Sequence, residues 1–435
     1  MWDAQAERRR PAGWPGGVSP PPRARRDAWP SCAHPRFQSR QGEGRLSRYV
    51  RDEIIMRITI VIGGLGGGGG ERVCVNLANA WVAGGHRVTL LTITQRSRES
   101  VYPLDPQVKR RDVGWPRESR ADEDPAPILD TLRQEGCGEL AGEIHLMAAL
   151  RVAILDTAPD VVISHMDLTS VRVLAALNDT GIPVIACEHT DPNRVSLGAW
   201  QRAREVFYRR AGAVVASHAA TTEWLSRRGI TARTIPNPLV PPPRRAPLRR
   251  ARRRIVTLGR LSPEKRPEML IRAFARIADD LPQWDLEIHG DGPLHDELAK
   301  VIAQLGLGGR VSLPGFTNDP YAALMDADLY VSASTVEGFG NAIWEALACG
   351  VPVVAMDCGA PVRTLVRDGI DGRIVIGSEH ALSVALADVM SDDEARKALA
   401  SRTAEVLTRF SIESALRKWD VVLNEVAWMK GVGSA

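Results

Sequence analysis

The chain has 435 residues, 56 Lys and Arg against 52 Asp and Glu, a formal net charge of +4 and 44% hydrophobic residues. That length suits two or three domains with ample core material, and 25% charged residues excludes a globally disordered chain. The excess charge sits in residues 1–55, which hold 11 Arg and no Lys against 6 acidic residues, so the other 380 residues carry −1 between them. A bulk so close to neutral argues against a nucleic-acid-binding protein, whose footprint is a basic face on the folded part.

Six scattered cysteines (Cys32, Cys74, Cys137, Cys187, Cys349, Cys358) form no CxxC pair and have no His at zinc-finger spacing, the usage of a reducing compartment. No run reaches the roughly 18 apolar residues of a spanning helix, and the N-terminus lacks a hydrophobic signal core. The expected setting is cytoplasmic, with a peripheral place at the inner face of the plasma membrane left open. Residues 1–55 are rich in Pro, Gly and Arg, and their tryptophans (Trp2, Trp14, Trp29) follow no period. They read either as a disordered tail or as an over-extended reading frame. The strand-like Met56–Ile62 favours the second, and removal of the stretch is expected to spare folding and activity.

From Met56 short β-branched runs alternate with amphipathic helical stretches. Met56–Gly63 reads as a buried strand, Glu71–Ala83 as a helix and Arg87–Thr94 as a strand. A polar, Pro-containing loop follows over 105–138, then a helix to Ala158, a strand at Val161–Ser164 and a helix to Leu177. Val184–Cys187 and Val214–Ser217 are further strands. Pro236, Pro238, Pro241, Pro242, Pro243 and Pro247, followed by clustered arginines, mark an extended, wet linker over 239–254 between a domain of residues 56–238 and one of 255–409.

Beyond the linker the same rhythm restarts. Strands are expected at Ile255–Gly259, Trp284–Gly290, Val311–Leu313, Leu329–Ser332, Val353–Ala355 and Arg373–Ile376, and helices at Pro267–Ala278 and His295–Leu305. An amphipathic helix over 410–431 closes the chain. This is an α/β protein: two doubly wound, parallel-sheet, Rossmann-like domains facing across a cleft, with ligands at the carboxyl ends of the strands.

Three motifs sit at those ends. The run Gly63–Gly70 lets backbone N–H groups approach a phosphate or sugar at a helix N-terminus. It can be forced onto GxGxxG, but the second strand ends at Thr92–Thr94 without the acid that grips a ribose, and no GxxxxGK[ST] occurs. In Gly259–Arg266 the cations Arg260 and Lys265 suit a diphosphate, although surface charge on an ordinary loop would look the same. The segment Ser332–Ala346 carries Glu337 and Glu345, with Gly338, Phe339, Gly340 and Asn341 between them at a helix mouth. At about 1.5 Å per helical residue the two carboxylates lie roughly 10–12 Å apart, the span of the two ends of a nucleotide sugar.

Asp122-Glu123-Asp124 and Asp326-Ala327-Asp328 match an Asp-x-Asp metal-binding pattern, but neither ends a strand; both read as structural or solvated, and no metal is expected. Over 195–211, Leu197, Trp200, Ala203 and Phe207 form an apolar stripe beside Arg194, Arg202, Arg204, Arg209 and Arg210. Such a helix suits an anionic bilayer or a polyprenyl diphosphate, and equally a core-packed helix with a wet basic side.

Arg260 with Lys265, Gly290-Asp291-Gly292-Pro293, the Glu337–Glu345 motif, Ala348–Val354 and Asp368–Gly372 together resemble the family-4 retaining glycosyltransferases of the GT-B fold. The resemblance covers nearly everything from Met56 to the last helix. Gly66–Gly70 with Glu71-Arg72 resembles the family's N-terminal glycine loop, with Gly70 where many members carry Ala. Glu188-His189 resembles its cleft histidine. Ser164–Asp167 and Cys187–Thr190 look most like bacterial exopolysaccharide and lipid-linked-oligosaccharide hexosaminyltransferases.

The resemblance implies that Arg260 and Lys265 hold the donor diphosphate, and that Glu337 meets the donor sugar under the 338–341 backbone. It implies that Glu345 accepts from the ribose, that Gly66 and Gly67 lie against the donor, and that His189 faces sugar and acceptor. Reaction would be by front-face attack, with the leaving diphosphate taking the acceptor proton. A nucleotide sugar and a glycan or lipid-linked acceptor are the implied partners, with no further cofactor. The alternatives are a nucleotide-sugar epimerase, active without acceptor; a sugar phosphorylase, dependent on inorganic phosphate; and a non-catalytic sugar-nucleotide-binding module.

Overall fold

The computed structural model describes residues 55–94, 100–114, 124–189, 198–242 and 253–429. The N-terminal stretch up to 54, Asp122 and Glu123, and Arg194, Val195 and Leu197 of the basic helix lie outside the described residues, as do linker residues 243–252.

The first sheet holds seven parallel strands in the order β3-β2-β1-β4-β5-β6-β7. They are β1 (Arg57–Ile62), β2 (Arg87–Thr92), β3 (Lys109–Asp112), β4 (Val161–His165), β5 (Val184–Glu188), β6 (Ala213–Ala216) and β7 (Arg233–Thr234). Central strands covered on both faces are buried throughout, as β4 and β5 are, which is why they read as unbroken apolar runs. The sheet is flanked by α1 (Gly69–Ala83), α2 (Ala126–Gln134), α3 (Ile144–Leu155), α4 (Asp167–Ala176), α5 (Ala199–Tyr208) and α6 (Ala219–Ser226).

The second sheet has six parallel strands in the order β10-β9-β8-β11-β12-β13. These are β8 (Arg253–Leu258), β9 (Trp284–His289), β10 (Val311–Gly315), β11 (Leu329–Ser332), β12 (Val353–Met356) and β13 (Gly372–Val375). Its helices are α7 (Pro267–Ala275), α8 (His295–Gln304), α9 (Pro320–Met325), α10 (Asn341–Ala348), α11 (Ala360–Leu365), α12 (Glu379–Ser391), α13 (Asp393–Thr403) and α14 (Val406–Arg409). In each sheet the strand order reverses beside the first strand: β1 lies between β2 and β4, and β8 between β9 and β11. The crevices outside β1 and β4, and outside β8 and β11, are therefore the places where such sheets bind ligands.

Three expectations need correction. The loop over 105–138 contains β3 and α2. As an edge strand of sequence KRRD, with three of its four residues exposed, β3 has no apolar alternation to betray it. In α2 a proline that read as a loop signal sits in the first turn, where the missing N–H costs no helical bond. Helix α1 begins at Gly69, inside the glycine run, because the Glu71 carboxylate reaches back to accept from the Gly68 N–H. The start of the linker is not wet: Leu239 is fully buried against Val256 and other side chains of the second sheet, and the Pro238 carbonyl accepts from Asn76 (2.8 Å).

The last described helix, α15 (Ile412–Met429), packs Trp419, Val422, Leu423 and Val426 into the core beneath β1 and α1. Trp419 meets Trp81 of α1 edge to face, with ring centroids 5.5 Å apart. Trp419→Ala should therefore cost about 3–5 kcal/mol, read as a lowered denaturation midpoint, because the pocket between two helices cannot collapse; an unchanged midpoint would show that α15 is dispensable to the first sheet.

Candidate active site

On the second sheet, two strand-to-helix loops meet at the crevice. The loop after β8 carries Gly259 to Arg266, and its turn is completed by Arg266 in the left-handed conformation (φ 46°), which costs a non-glycine residue about 1–2 kcal/mol. The Arg266 guanidinium holds that turn by donating to the Ala333 carbonyl at the end of β11 (2.8 Å). Thr335 adds a second stitch, donating its N–H to the Glu264 carbonyl (2.8 Å). The Gly290 and Gly292 positions explain themselves by close approach: a Cβ on Gly290 would lie 1.8 Å from the Gly259 carbonyl oxygen, and one on Gly292 2.4 Å from that of Leu261.

The stitched loops bring predicted residues together. Lys265 Nζ donates to Glu337 Oε1 (2.6 Å), and Ser334 Oγ donates to the same oxygen (2.7 Å). Arg260 and Lys265 line one pocket with Gly259, Tyr330 and Ser334. Helix α10 starts at Asn341, capped by Gly340 in the left-handed conformation (φ 91°).

The glycine loop after β1 packs directly against these elements. Asn341 Nδ2 donates to the Gly69 carbonyl (3.1 Å), Asn237 Nδ2 donates to Asn341 Oδ1 (2.8 Å), and Ser217 Oγ donates to the Gly338 carbonyl (3.1 Å). Gly67 (φ 100°) faces Phe316, whose ring would lie 3.0 Å from a Cβ placed there. Gly66 sits beside the Glu71 carboxylate.

Glu345 departs from the expectation of a carboxylate open to a ribose. It is 4% exposed and pairs with Arg72 of α1, Nη1 to Oε1, at 2.5 Å. The Arg72 guanidinium lies 5.5 Å from the ring centre of Tyr102 and 4.9 Å from that of Tyr321, one ring from each side of the cleft. Tyr102 in turn donates to the Gly67 carbonyl (2.7 Å). Burial pushes the Glu345 carboxyl upward and Arg72 pulls it back. Burial also opposes the Arg72 charge, but Glu345 and the two tyrosines outweigh it.

His189 follows the end of β5. Its Nε2 lies 2.7 Å from Nδ1 of His165, at the end of β4, and both rings are held neutral by burial; His189 is drawn down to about 4 and His165 well below the ordinary value. His165 lies in the Ser164–Asp167 motif, and nothing in the sequence assigns it a role. Arg72, Tyr102, Tyr321, Ser217 and Asn237 were missed as site residues, and only Arg72, next to the capping Glu71, carried a local signal.

Of the two readings of the basic helix, its described part fits the core-packed one, except that Arg204 is not on a wet side. Ala203, Phe207 and Tyr208 are buried in the first domain and Trp200 packs against them, so the described part of the stripe is core. Arg204 is 2% exposed, paired with Glu188 (3.4 Å) and stacked over Trp224 (4.7 Å to the ring centre). Arg210 bonds Glu135 and Asn178, and Arg209 bonds the Arg228 carbonyl. Asp328, of the second Asp-x-Asp, accepts from the Arg254 N–H (2.9 Å), and Asp124, of the first, accepts from the Ala126 N–H (2.9 Å).

Two facing doubly wound domains, with a cation–carboxylate constellation where their switch points meet, define a protein of the GT-B architecture. The chain belongs to the glycosyltransferases: residues 244–406 match the family "Glycosyl transferases group 1" and residues 68–239 the "Glycosyl transferase 4-like domain". An α-1,4-N-acetyl-D-galactosaminyltransferase of Campylobacter jejuni, which acts on a GalNAc-containing undecaprenyl-diphosphate glycan, is 26% identical over 86% of this chain and 99% of its own length. A second C. jejuni N-acetylgalactosaminyltransferase, of a diphospho-undecaprenol substrate, is 39% identical over 33% of this chain, a match spanning 39% of that relative. Among solved structures, Staphylococcus aureus TarM with UDP superposes with a TM-score of 0.69 at 14% identity, over 85% of this chain and 100% of TarM. Anabaena HepE with UDP and glucose gives 0.67 at 19% identity, over 85% and 99%.

Two outcomes test this geometry. Arg72→Ala should destabilise by about 3–5 kcal/mol, because it strands a buried carboxylate, and adding Glu345→Ala should restore part of the loss. A thermal-unfolding double-mutant cycle with no coupling would show that the pair does not bind the two helices. The histidines give a pH dependence: with His189 lowered from 6.5 to about 4, the unfolded chain takes up its proton first as pH falls. Stability should hold above 6.5 and decline between 6.5 and 4, with a shallower decline for His189→Asn in melting curves across that range.

Proposed function

We propose that the protein is a retaining glycosyltransferase that moves a sugar, an N-acetylhexosamine as the leading candidate, from a nucleotide diphosphate to a glycan or polyprenyl-diphosphate-linked acceptor of a cell-surface polysaccharide. The observation that carries this is the convergence of Arg260, Lys265 and Glu337 in one crevice, directly opposite the glycine loop. The acceptor class rests on the C. jejuni relatives, and the family resemblance supports the donor class and retention.

In this reading Arg260 and Lys265 take the donor diphosphate. Glu337 holds Lys265 through Oε1 and offers Oε2 to a sugar hydroxyl. The Gly338–Asn341 backbone covers sugar and phosphate. Glu345 serves the ribose once Arg72 yields to it, and Gly66 and Gly67 close over the donor from the other domain. His189 stands by the sugar. The bond from the anomeric carbon to the diphosphate breaks while the acceptor oxygen attacks on the same face. The acceptor proton passes to the departing phosphate oxygen, so the main catalytic work is stabilising charge on the leaving group.

No metal is assigned a step, and no cofactor beyond the donor is proposed. No described helix is long and apolar enough to cross a membrane. A cytoplasmic enzyme meeting a lipid-linked acceptor would do so peripherally, through the exposed Arg202 and Arg209 rather than through the stripe. The domains are proposed to divide as 56–238 on the acceptor side and 255–409 on the donor side.

The test is a panel of UDP-, GDP- and ADP-sugars scored by thermal shift and slow donor hydrolysis, with and without EDTA. One donor should raise the midpoint, Glu337→Ala should abolish turnover with the fold intact, and EDTA should leave the rate unchanged. No shift with any nucleotide sugar would overturn the reading. Loss of activity in EDTA, restored by Mg²⁺ or Mn²⁺, would overturn metal independence alone.

A further inference from the structure

His165 and His189 are brought together by the register of two adjacent parallel strands, in which His165 of β4 lies opposite Cys187 of β5. Their ring centres are 5.0 Å apart and their planes 15° apart. With 2.7 Å between Nδ1 of His165 and Nε2 of His189, that separation is the bond plus one ring radius at each end. The rings therefore meet edge to edge in nearly one plane, as an in-plane N–H···N hydrogen bond requires, and are not stacked face to face.

Such a bond couples the tautomers of two neutral imidazoles. One ring must donate and the other accept, so the proton on His189 is placed by His165. The outer nitrogens, His165 Nε2 and His189 Nδ1, are both buried without a partner among the described residues. Either arrangement leaves one outer N–H without a protein partner; His165 is 0% exposed in the interior of the first domain, whereas His189 is only partly buried beside the glycine loop, where a bound sugar can take that bond. The favoured arrangement therefore puts the His165 proton on Nδ1, donating to His189 Nε2. The remaining N–H falls on His189 Nδ1, on the side of the ring whose Cγ lies 3.9 Å from a Cβ built on Gly70 of helix α1.

The backbone supports this aim. Met166, directly after His165, sits at φ 76° and ψ 144°, a region that costs a side-chain-bearing residue about 1–3 kcal/mol and persists only where the surroundings enforce it. Its sulfur lies 3.3 Å from a Cβ built on Gly70, so the strained turn, the glycine loop and His189 occupy one corner of the cleft.

We infer that His165 is a positioning residue: it fixes His189 as the Nδ1–H tautomer, a neutral hydrogen-bond donor to a hydroxyl or ring oxygen of the bound sugars, and not a general base. This rests on the placement of His189 at the sugar. The logic is that of any histidine whose tautomer is set by a buried partner.

The test uses the full chain with its active donor. His165→Asn puts an amide nitrogen at the position of Nδ1, while His165→Leu fills the space without a donor. The Asn variant should keep kcat within about threefold, and the Leu variant should lose about tenfold or more in kcat with donor KM nearly unchanged. A Leu variant with wild-type kcat and tautomer overturns the inference. Should Leu not fold, nitrogen-15 NMR of the histidines in the wild-type protein decides: a pyrrole-type Nδ1 and pyridine-type Nε2 on His189 support it, and the reverse overturns it. If His189→Ala keeps full activity, the placement of His189 at the sugar has failed, a result separable from failure at His165 alone.

Discussion

A buried ion pair across the cleft, Arg72 of α1 with Glu345 of α10, is the contact on which the rest of the site depends. Two charges out of water hold only if they hold each other, and this pair is enclosed between Tyr102 and Tyr321. Each helix presents its charge because its start is fixed locally, α1 by the Glu71 carboxylate on the Gly68 N–H and α10 by Gly340. With those starts fixed and the charges joined, Gly69 meets Asn341 and Gly67 meets Phe316. The glycines are small because another chain segment arrives there.

The two halves of the site differ in character. The second-domain side is charged and stitched to itself, with Arg266 and Thr335 binding one loop to the next so that Lys265 and Glu337 meet. The first-domain side offers backbone, two neutral imidazoles and one cation, Arg72, which Glu345 takes up. A donor diphosphate would find its cations on one wall and no competing carboxylate from the glycine loop, since Glu71 is spent on its own helix. That division suits chemistry in which the negative charge grows on a leaving group bound to one domain while the nucleophile comes from the other.

Much of this was legible in the sequence, for identifiable reasons. Buried parallel strands are continuous apolar runs, and residues such as Lys265 and Glu337 stand in strand-to-helix turns, where position follows from local pattern. Partnership across long separations was not legible. Arg72 and Glu345 are 273 residues apart, and nothing near either names the other. The apolar stripe of α5 would look alike against a bilayer or a core; Glu188, on a strand whose neighbours are known only from the sheet order, decides for the core by taking Arg204 inside. Strand β3 was hidden because an edge needs only one neighbour and no buried face. His165 and His189 were each visible as strand-end histidines, but their bond depends on strand register, which the sequence pattern leaves open.

A crystal structure of the full chain soaked with UDP tests the site most directly. The diphosphate should lie within hydrogen-bond distance of Arg260 and Lys265, and the ribose hydroxyls on Glu345 with Arg72 moved aside. A diphosphate bound away from Arg260 and Lys265, or a nucleotide that leaves the Arg72–Glu345 pair closed and lies outside the cleft, would contradict that placement.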